Sequence, residues 1–361
     1  MLPATRVRHR RFLESAALVA ACVASGSLEC GGPQMTVAER RGGETYRRMC
    51  AVCHGAQGEG YKADQATALA HPAFLASVSE GFLRRAITDG RAGTTMSAWG
   101  LQRGGPLSAA DVDAIVALLH SWERGPRAVL DESALGGDAA RGEAIFAGEC
   151  ARCHGAKGTG GPFVNIGNPD FLATAGNGYL RLAIREGRAG TAMPAFGRKL
   201  GAEGVEDVLA WVRSWHTPPA LTPRAAPAHV PPLPLGPVPL NPRGPEPVGF
   251  KNAPATTPAD VVHQQLDRGA KMALLDARAP SDYASEHVAG AVSVPFYDVD
   301  PYVDGLPRDA WLVCYCACPH AESGQLAQKL LSKGFSKVTV LDEGLGVWRS
   351  RHYGTHSGWD P

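Results

Sequence analysis

The chain has 361 residues, enough for two or three domains with cores of their own. Its 36 Lys and Arg nearly balance 35 Asp and Glu, so no overall field draws in nucleic acid or an anionic surface, and nucleic acid is excluded as an expected partner. With 44% hydrophobic and 20% charged residues, wholesale disorder is excluded too.

Residues 1–35 open with Arg6, Arg8, Arg10 and Arg11, then a short apolar run interrupted by Glu14. A bilayer span needs roughly 20 apolar residues, so this pattern predicts a bacterial export signal and a mature protein outside the cytoplasm, in the periplasm or anchored facing it. "LVAAC" resembles a lipobox, which makes Cys22 a candidate for lipidation and membrane anchoring; Cys30 is a weaker second candidate, and cleavage without lipid is the alternative.

A unit of roughly one hundred residues then occurs twice. "CAVCHGAQGEG" (50–60) is matched by "CARCHGAKGTG" (150–160), "LRRAITDGRAGTTMSAWG" (83–100) by "LRLAIREGRAGTAMPAFG" (180–197), and "DVDAIVALLHSW" (111–122) by "GVEDVLAWVRSW" (204–215). Each unit, 36–126 and 134–217, is expected to be a small all-α domain able to fold alone. The opening helix of each carries Gly42 and Tyr46, or Gly142 and Phe146, on one face. The closing helix buries a stripe of Val112, Ile115, Val116 and Leu119, or Val205, Val208, Leu209 and Val212.

The C-x-x-C-H elements read as sites of covalent haem attachment. One helical turn brings Cys50 and Cys53, or Cys150 and Cys153, to one edge of a macrocycle and aims His54 or His154 over its centre. Met96 and Met193 hold equivalent places in Gly-rich loops and are expected as the opposite axial ligands, an arrangement that raises the reduction potential. Residues 36–217 therefore resemble two tandem class I cytochrome c domains, which implies two covalently bound haem c groups. The resemblance further implies that a proline carbonyl, Pro162, steadies His154, whereas Lys62 stands at the matching place in the first unit. Arg91 and Arg188 are candidate partners of the haem propionates, with a solvated surface charge as the alternative.

Residues 218–254 are expected to form a Pro-rich linker; 14 of the 28 prolines lie between Thr217 and Pro258. In polyproline II, at about 3.1 Å per residue, such a segment acts as a semi-rigid spacer. From 255 to 361 strand and helix patterns alternate: "KMALLDAR", "AVSVPF", "WLVCYC" and "KVTVLDEG" as strands, "AESGQLAQKLLSKGF" as a helix. That alternation predicts an α/β domain with a parallel sheet and places Cys316 at the carboxyl end of a strand, where such sheets bind ligands.

"LLDAR", "YASEHVAGAVSVPF", "VCYCACPH" and "LDEGLGVW" resemble the four motifs of a rhodanese domain. The resemblance implies Cys316 as the nucleophile that accepts sulfane sulfur as a persulfide. Independently, loop amides and a helix N-terminus lower a thiol's pKa. Cys318 is a candidate resolving thiol and Cys314 a buried bystander; a zinc site formed with His320 is geometrically poor because the strand aims Cys314 inward. The loop lacks the arginine usual in this family. Glu322 brings a carboxylate toward the mouth, which predicts repulsion of anionic donors in favour of a neutral or protein-bound persulfide.

The expected protein is an exported dihaem cytochrome with two partners, a redox protein and a sulfur donor, and a tethered sulfurtransferase domain coupling sulfane-sulfur chemistry to haem reduction. The alternative is an electron shuttle whose last domain docks or senses sulfur. A dihaem peroxidase would need an open or His-bound distal site, which Met96 and Met193 oppose.

Overall fold

The computed structural model describes residues 35–63, 65–216, 238–317 and 320–361. Cys22, Cys30 and Cys318 lie outside the described residues. Among those described, no helix is long and apolar enough to cross a membrane.

In the first unit helix α1 (Val37–Met49) is followed by the short helix α2 (Ala51–His54), then α3 (Glu80–Asp89) and α4 (Ala109–Ser121). The second unit repeats this order with α5 (Ala139–Glu149), α6 (Ala151–His154), α7 (Asn177–Glu186) and α8 (Gly197–Ser214), the last kinked at Gly201. Side chains satisfy the orphan N–H groups at several of these helix starts. Ser79 accepts from Phe82 N, Ser108 and Asp111 form a reciprocal capping box, and Asp138 accepts from Ala140 and Arg141 N.

The predicted stripes on α4 and α8 are buried, each side chain contributing about 1.5–3 kcal/mol of apolar burial. They pack against the opening helix of their own unit, and here glycine is obligatory. A Cβ on Gly42 would stand 2.0 Å from the Ala114 carbonyl oxygen, and one on Gly142 would stand 1.9 Å from that of Asp207. Tyr46 and Phe146 fill the space one turn on, edge-to-face with Trp122 and Trp215.

The units do not sit as independent beads. Phe82 of α3 stacks on Tyr179 of α7 with ring centroids 5.8 Å apart and meets Phe171 edge-on. Asn168 Nδ2 donates to the Ala92 carbonyl, and Ala92 N donates to Asp170. These rings and bonds join at one face what the repeat alone presents as two separate folding units.

The third domain contains strands β1 (Thr256–Thr257), β2 (Met272–Asp276), β3 (Ala291–Ser293), β4 (Trp311–Tyr315) and β5 (Val338–Leu341). They form a parallel sheet in the order β1-β5-β4-β2-β3, as the α/β pattern predicts. Helix α9 (Ala321–Ser332) follows β4 and packs on β4 and β5. The end of the predicted spacer belongs structurally to this domain. Asn241 and Asn252 side chains donate to the carbonyls of Gly269 and Ser336, and Ala253 N donates to Val338 O. Asparagine amides and the remaining backbone donors do there what proline cannot.

Beneath the loop, Arg278 pairs with Asp276 at 2.6 Å, both buried, and Tyr315 Oη donates to the same carboxylate. Every polar group of this trio has a partner, the condition under which a buried ion pair is tolerated.

Gly142→Ala should destabilise the second unit by about 1–3 kcal/mol or more, because backbone rather than a yielding side chain opposes the new methyl group. Urea denaturation with an unchanged midpoint would disprove the close helix crossing.

Candidate functional site

The two C-x-x-C-H turns open onto one shared cavity of about 820 Å³. Cys50, Cys53, His54 and Met96 line one part of it; Cys150, Cys153, His154 and Met193 line another. The turn that carries each motif is one short helix, and a left-handed glycine, Gly55 or Gly155, ends it directly after the histidine.

Each imidazole is oriented by a backbone carbonyl. His54 Nδ1 lies 2.8 Å from Thr67 O, and His154 Nδ1 lies 3.1 Å from Val164 O. A carbonyl only accepts, so Nδ1 carries the proton and Nε2 keeps its lone pair. Burial lowers the pKa of both histidines, so both are neutral at physiological pH and suited to a metal. The steadying carbonyl is a correction to the sequence reading: it belongs to Val164, two residues beyond Pro162. In the first unit Thr67 plays the part three residues later in register. The first unit carries three more residues between histidine and methionine than the second, and the chain around Lys62 absorbs them before regaining the same contact.

The methionine loops superimpose bond for bond. Gly90 and Gly187, with positive φ, end α3 and α7. Arg91 N donates to Met96 O at 2.9 Å, and Arg188 N to Met193 O at 2.8 Å. Thr94 and Thr191 hydroxyls donate to the arginine carbonyls and accept from the methionine N–H groups. A threonine two residues before each methionine is therefore what shapes the loop, a signal visible in "GTTM" and "GTAM".

Arg91 and Arg188 line the same cavity, over the Phe82 and Tyr179 rings at 4.9 and 5.3 Å. Burial pushes the Arg91 guanidinium down to about 10, which leaves it charged. Neither is a solvated surface charge. Apolar walls, neutral imidazoles, thiols at the rim and two inward cations fit a propionate-bearing porphyrin.

In the third domain Cys316 follows β4 directly and is 1% exposed. Its Sγ lies 3.3 Å from Ser323 Oγ in the first turn of α9, and its carbonyl accepts from Leu345 N. Cys314 is fully buried, and burial raises its pKa.

Glu322 overturns a second expectation. It is 6% exposed, not displayed at a solvent mouth, and burial, reinforced by Cys316 and Asp282, raises its pKa well above the ordinary carboxyl value. Burial thus favours the neutral carboxyl and takes it away from any solvent-facing, anion-repelling position. It also lines the cavity that holds Cys50 and His54. Sequence reasoning missed this because burial of a helix-start glutamate is decided by what packs over it.

Residues 37–119 and 137–212 match the family described as cytochrome C oxidase, cbb3-type, subunit III, and residues 258–351 match the rhodanese-like domain. The chain is 28% identical over 229 residues to a cytochrome bc1 complex cytochrome c subunit of Mycobacterium tuberculosis, covering 58% of this chain and 79% of that protein. It is 39% identical over 90 residues to cytochrome c6 of Rippkaea orientalis, covering 23% of this chain and 77% of that one. With thiosulfate sulfurtransferase GlpE of Pseudomonas fluorescens it shares 35% identity over 80 residues, 22% of this chain and 72% of the relative.

Glu322→Gln should stabilise the protein increasingly as pH rises. The folded carboxyl keeps its proton above the unfolded value of about 4.5, so wild type loses up to about 1.4 kcal/mol per pH unit from there until the folded group ionises. Denaturation of both proteins at pH 4, 6 and 8 should show a gap that opens with pH; a constant gap would refute the buried neutral acid.

Proposed function

Because this chain belongs to the c-type cytochrome family through its two helical units and to the rhodanese-like family through its third domain, we propose that it is an exported dihaem electron carrier whose own sulfurtransferase domain feeds it electrons. One observation carries the reading: the helix that starts beside Cys316 also lines the cavity onto which the C-x-x-C-H turns open.

Haem c, when bound, supplies a one-electron store at each iron, so two sites together match an electron pair. Cys50 with Cys53, and Cys150 with Cys153, would anchor it by thioethers. His54 and His154 offer Nε2 because Nδ1 is tied to a carbonyl, and Met96 and Met193 offer thioether sulfur from loops with identical bonding. Arg91 and Arg188 would balance the propionates.

Cys316 does the sulfur chemistry. Its thiol and that of a hydrosulfide or thiol donor would join: one S–S bond forms, two S–H bonds break, two protons leave to solvent, and the electron pair released is what two one-electron haem c acceptors would take up. With hydrosulfide the product is a persulfide. Ser323 Oγ positions the sulfur by a hydrogen bond, and the neutral Glu322 keeps negative charge away from it. Cys318 remains the candidate resolving thiol. The arginine-rich leader supports export, with Cys22 as candidate lipid anchor, and the onward acceptor is a redox protein.

The intact mass of matured protein should exceed that of the chain by two macrocycles, and the Cys50→Ser/Cys53→Ser variant should lose one of them; an unchanged mass would remove the first site. Adding sulfide to oxidised protein should produce reduced-haem absorption bands within seconds, and Cys316→Ser should slow this by about a hundredfold or more, the scale for loss of a nucleophile. Equal rates in the two proteins would end the proposed coupling.

A further inference from the structure

The catalytic face of the third domain is covered by the first cytochrome unit. Ser281 Oγ donates to the Ala98 carbonyl at 2.7 Å, and Ser97 Oγ donates to Asp282 at 2.6 Å. Trp99 packs on Tyr297 with centroids 5.7 Å apart. Ser97, Ala98 and Trp99 directly follow Met96 in its loop. On the other side, α9 packs against α2, the turn that carries Cys53 and His54. Cys316 and Cys314 belong to one continuous apolar cluster with Tyr46 and Met49, and Cys50 and Met96 pack against it. All of these contacts fall on the first unit.

Two features show that this surface is built. Ser97 and Ser281 are 3% and 7% exposed, and their hydroxyls find partners across the junction, as buried polar groups require. Glu322, 6% exposed, lines the cavity of the first site, and the next residue, Ser323, lies 3.3 Å from the Cys316 sulfur. With the faces together, a sulfur donor has no open approach to a thiol that is 1% exposed.

We propose that Ser281 and Asp282 are positioning residues that clamp Cys316 against the first haem site, making that site the entry point for electrons, and that Cys316 takes up its hydrosulfide or thiol donor only when this clamp opens. The proposal rests on the function given above and deepens it. Closed, the clamp places the sulfur against the turn and loop that would hold one haem iron and excludes water and competing thiols from the new S–S bond. Open, it exposes Cys316 and separates it from that site. Tunnelling falls steeply with distance, so donor loading and electron delivery belong to different arrangements, as with enzyme lids.

The test uses the full-length, haem-loaded protein and two variants on different contacts, Ser281→Arg and Asp282→Lys. Iodoacetamide labelling of Cys316, read by peptide mass spectrometry, should be about tenfold faster in both variants than in wild type, as expected when a local opening cost is removed. At saturating sulfide, haem reduction in the same variants should be about tenfold slower, while reduction by dithionite keeps its wild-type rate. With methyl-labelled methionine, NMR of the reduced protein should show the Met96 methyl signal moving in the variants and the Met193 signal staying in place. Equal labelling in all three proteins overturns the sealed clamp, and movement of the Met193 signal instead overturns the choice of entry site. If Cys316→Ser blocks reduction but both clamp variants reduce at the wild-type rate, this proposal falls and the sulfur-to-haem function stands. If Cys316→Ser reduces normally, the function itself falls.

Discussion

A carbonyl oxygen has no proton to give, and from that the arrangement of both cytochrome units follows. Thr67 O and Val164 O each accept a hydrogen bond from the Nδ1–H of a histidine, so the ring has one tautomer and one orientation, with a lone pair left for a metal. Each histidine sits at the end of a four-residue helix closed by a left-handed glycine. Its neighbouring thiols reach the rim of the same cavity only because that turn is held in place. The turn is held by the helix before it, which can approach the closing helix of its unit because glycine stands at the crossing.

The second constraint is the wall between the units. Phe82, Phe171 and Tyr179 form a ring cluster, and Arg91 and Arg188 lie over two of its faces. A charged guanidinium is costly to bury without a partner, and an aromatic face recovers only part of that cost. Two such groups facing one apolar cavity are consistent with an anionic occupant on each side. The three extra residues in the first unit leave this symmetry intact, since the chain around Lys62 absorbs them before Thr67 regains the contact that Val164 makes.

In the third domain the buried Asp276–Arg278–Tyr315 trio holds the end of β4 from below, while Leu345 N fixes the Cys316 carbonyl from the side. The thiol is thereby presented to α9 and, across it, to the first unit. Burial at this junction both raises the Glu322 carboxyl above its ordinary range and leaves Cys316 1% exposed.

Much of this was legible in the chain alone. The C-x-x-C-H spacing, the duplicated methionine loops, the stripes on the closing helices and the alternation of strands and helices after residue 255 are periodic or local patterns. Their meaning depends on backbone geometry that any chain shares. The carbonyl that steadies each histidine was not legible, because it is a backbone atom without a side-chain signature, and its position shifts with loop length from Thr67 in one unit to Val164 in the other. The protonation of Glu322, the inward place of the two arginines and the covering of Cys316 were also out of reach. The state of Glu322 and the covering of Cys316 depend on what packs over them from far along the chain, as the Ser281–Ala98 bond between residues 183 positions apart shows, and desolvation by a distant surface leaves no mark on the local sequence.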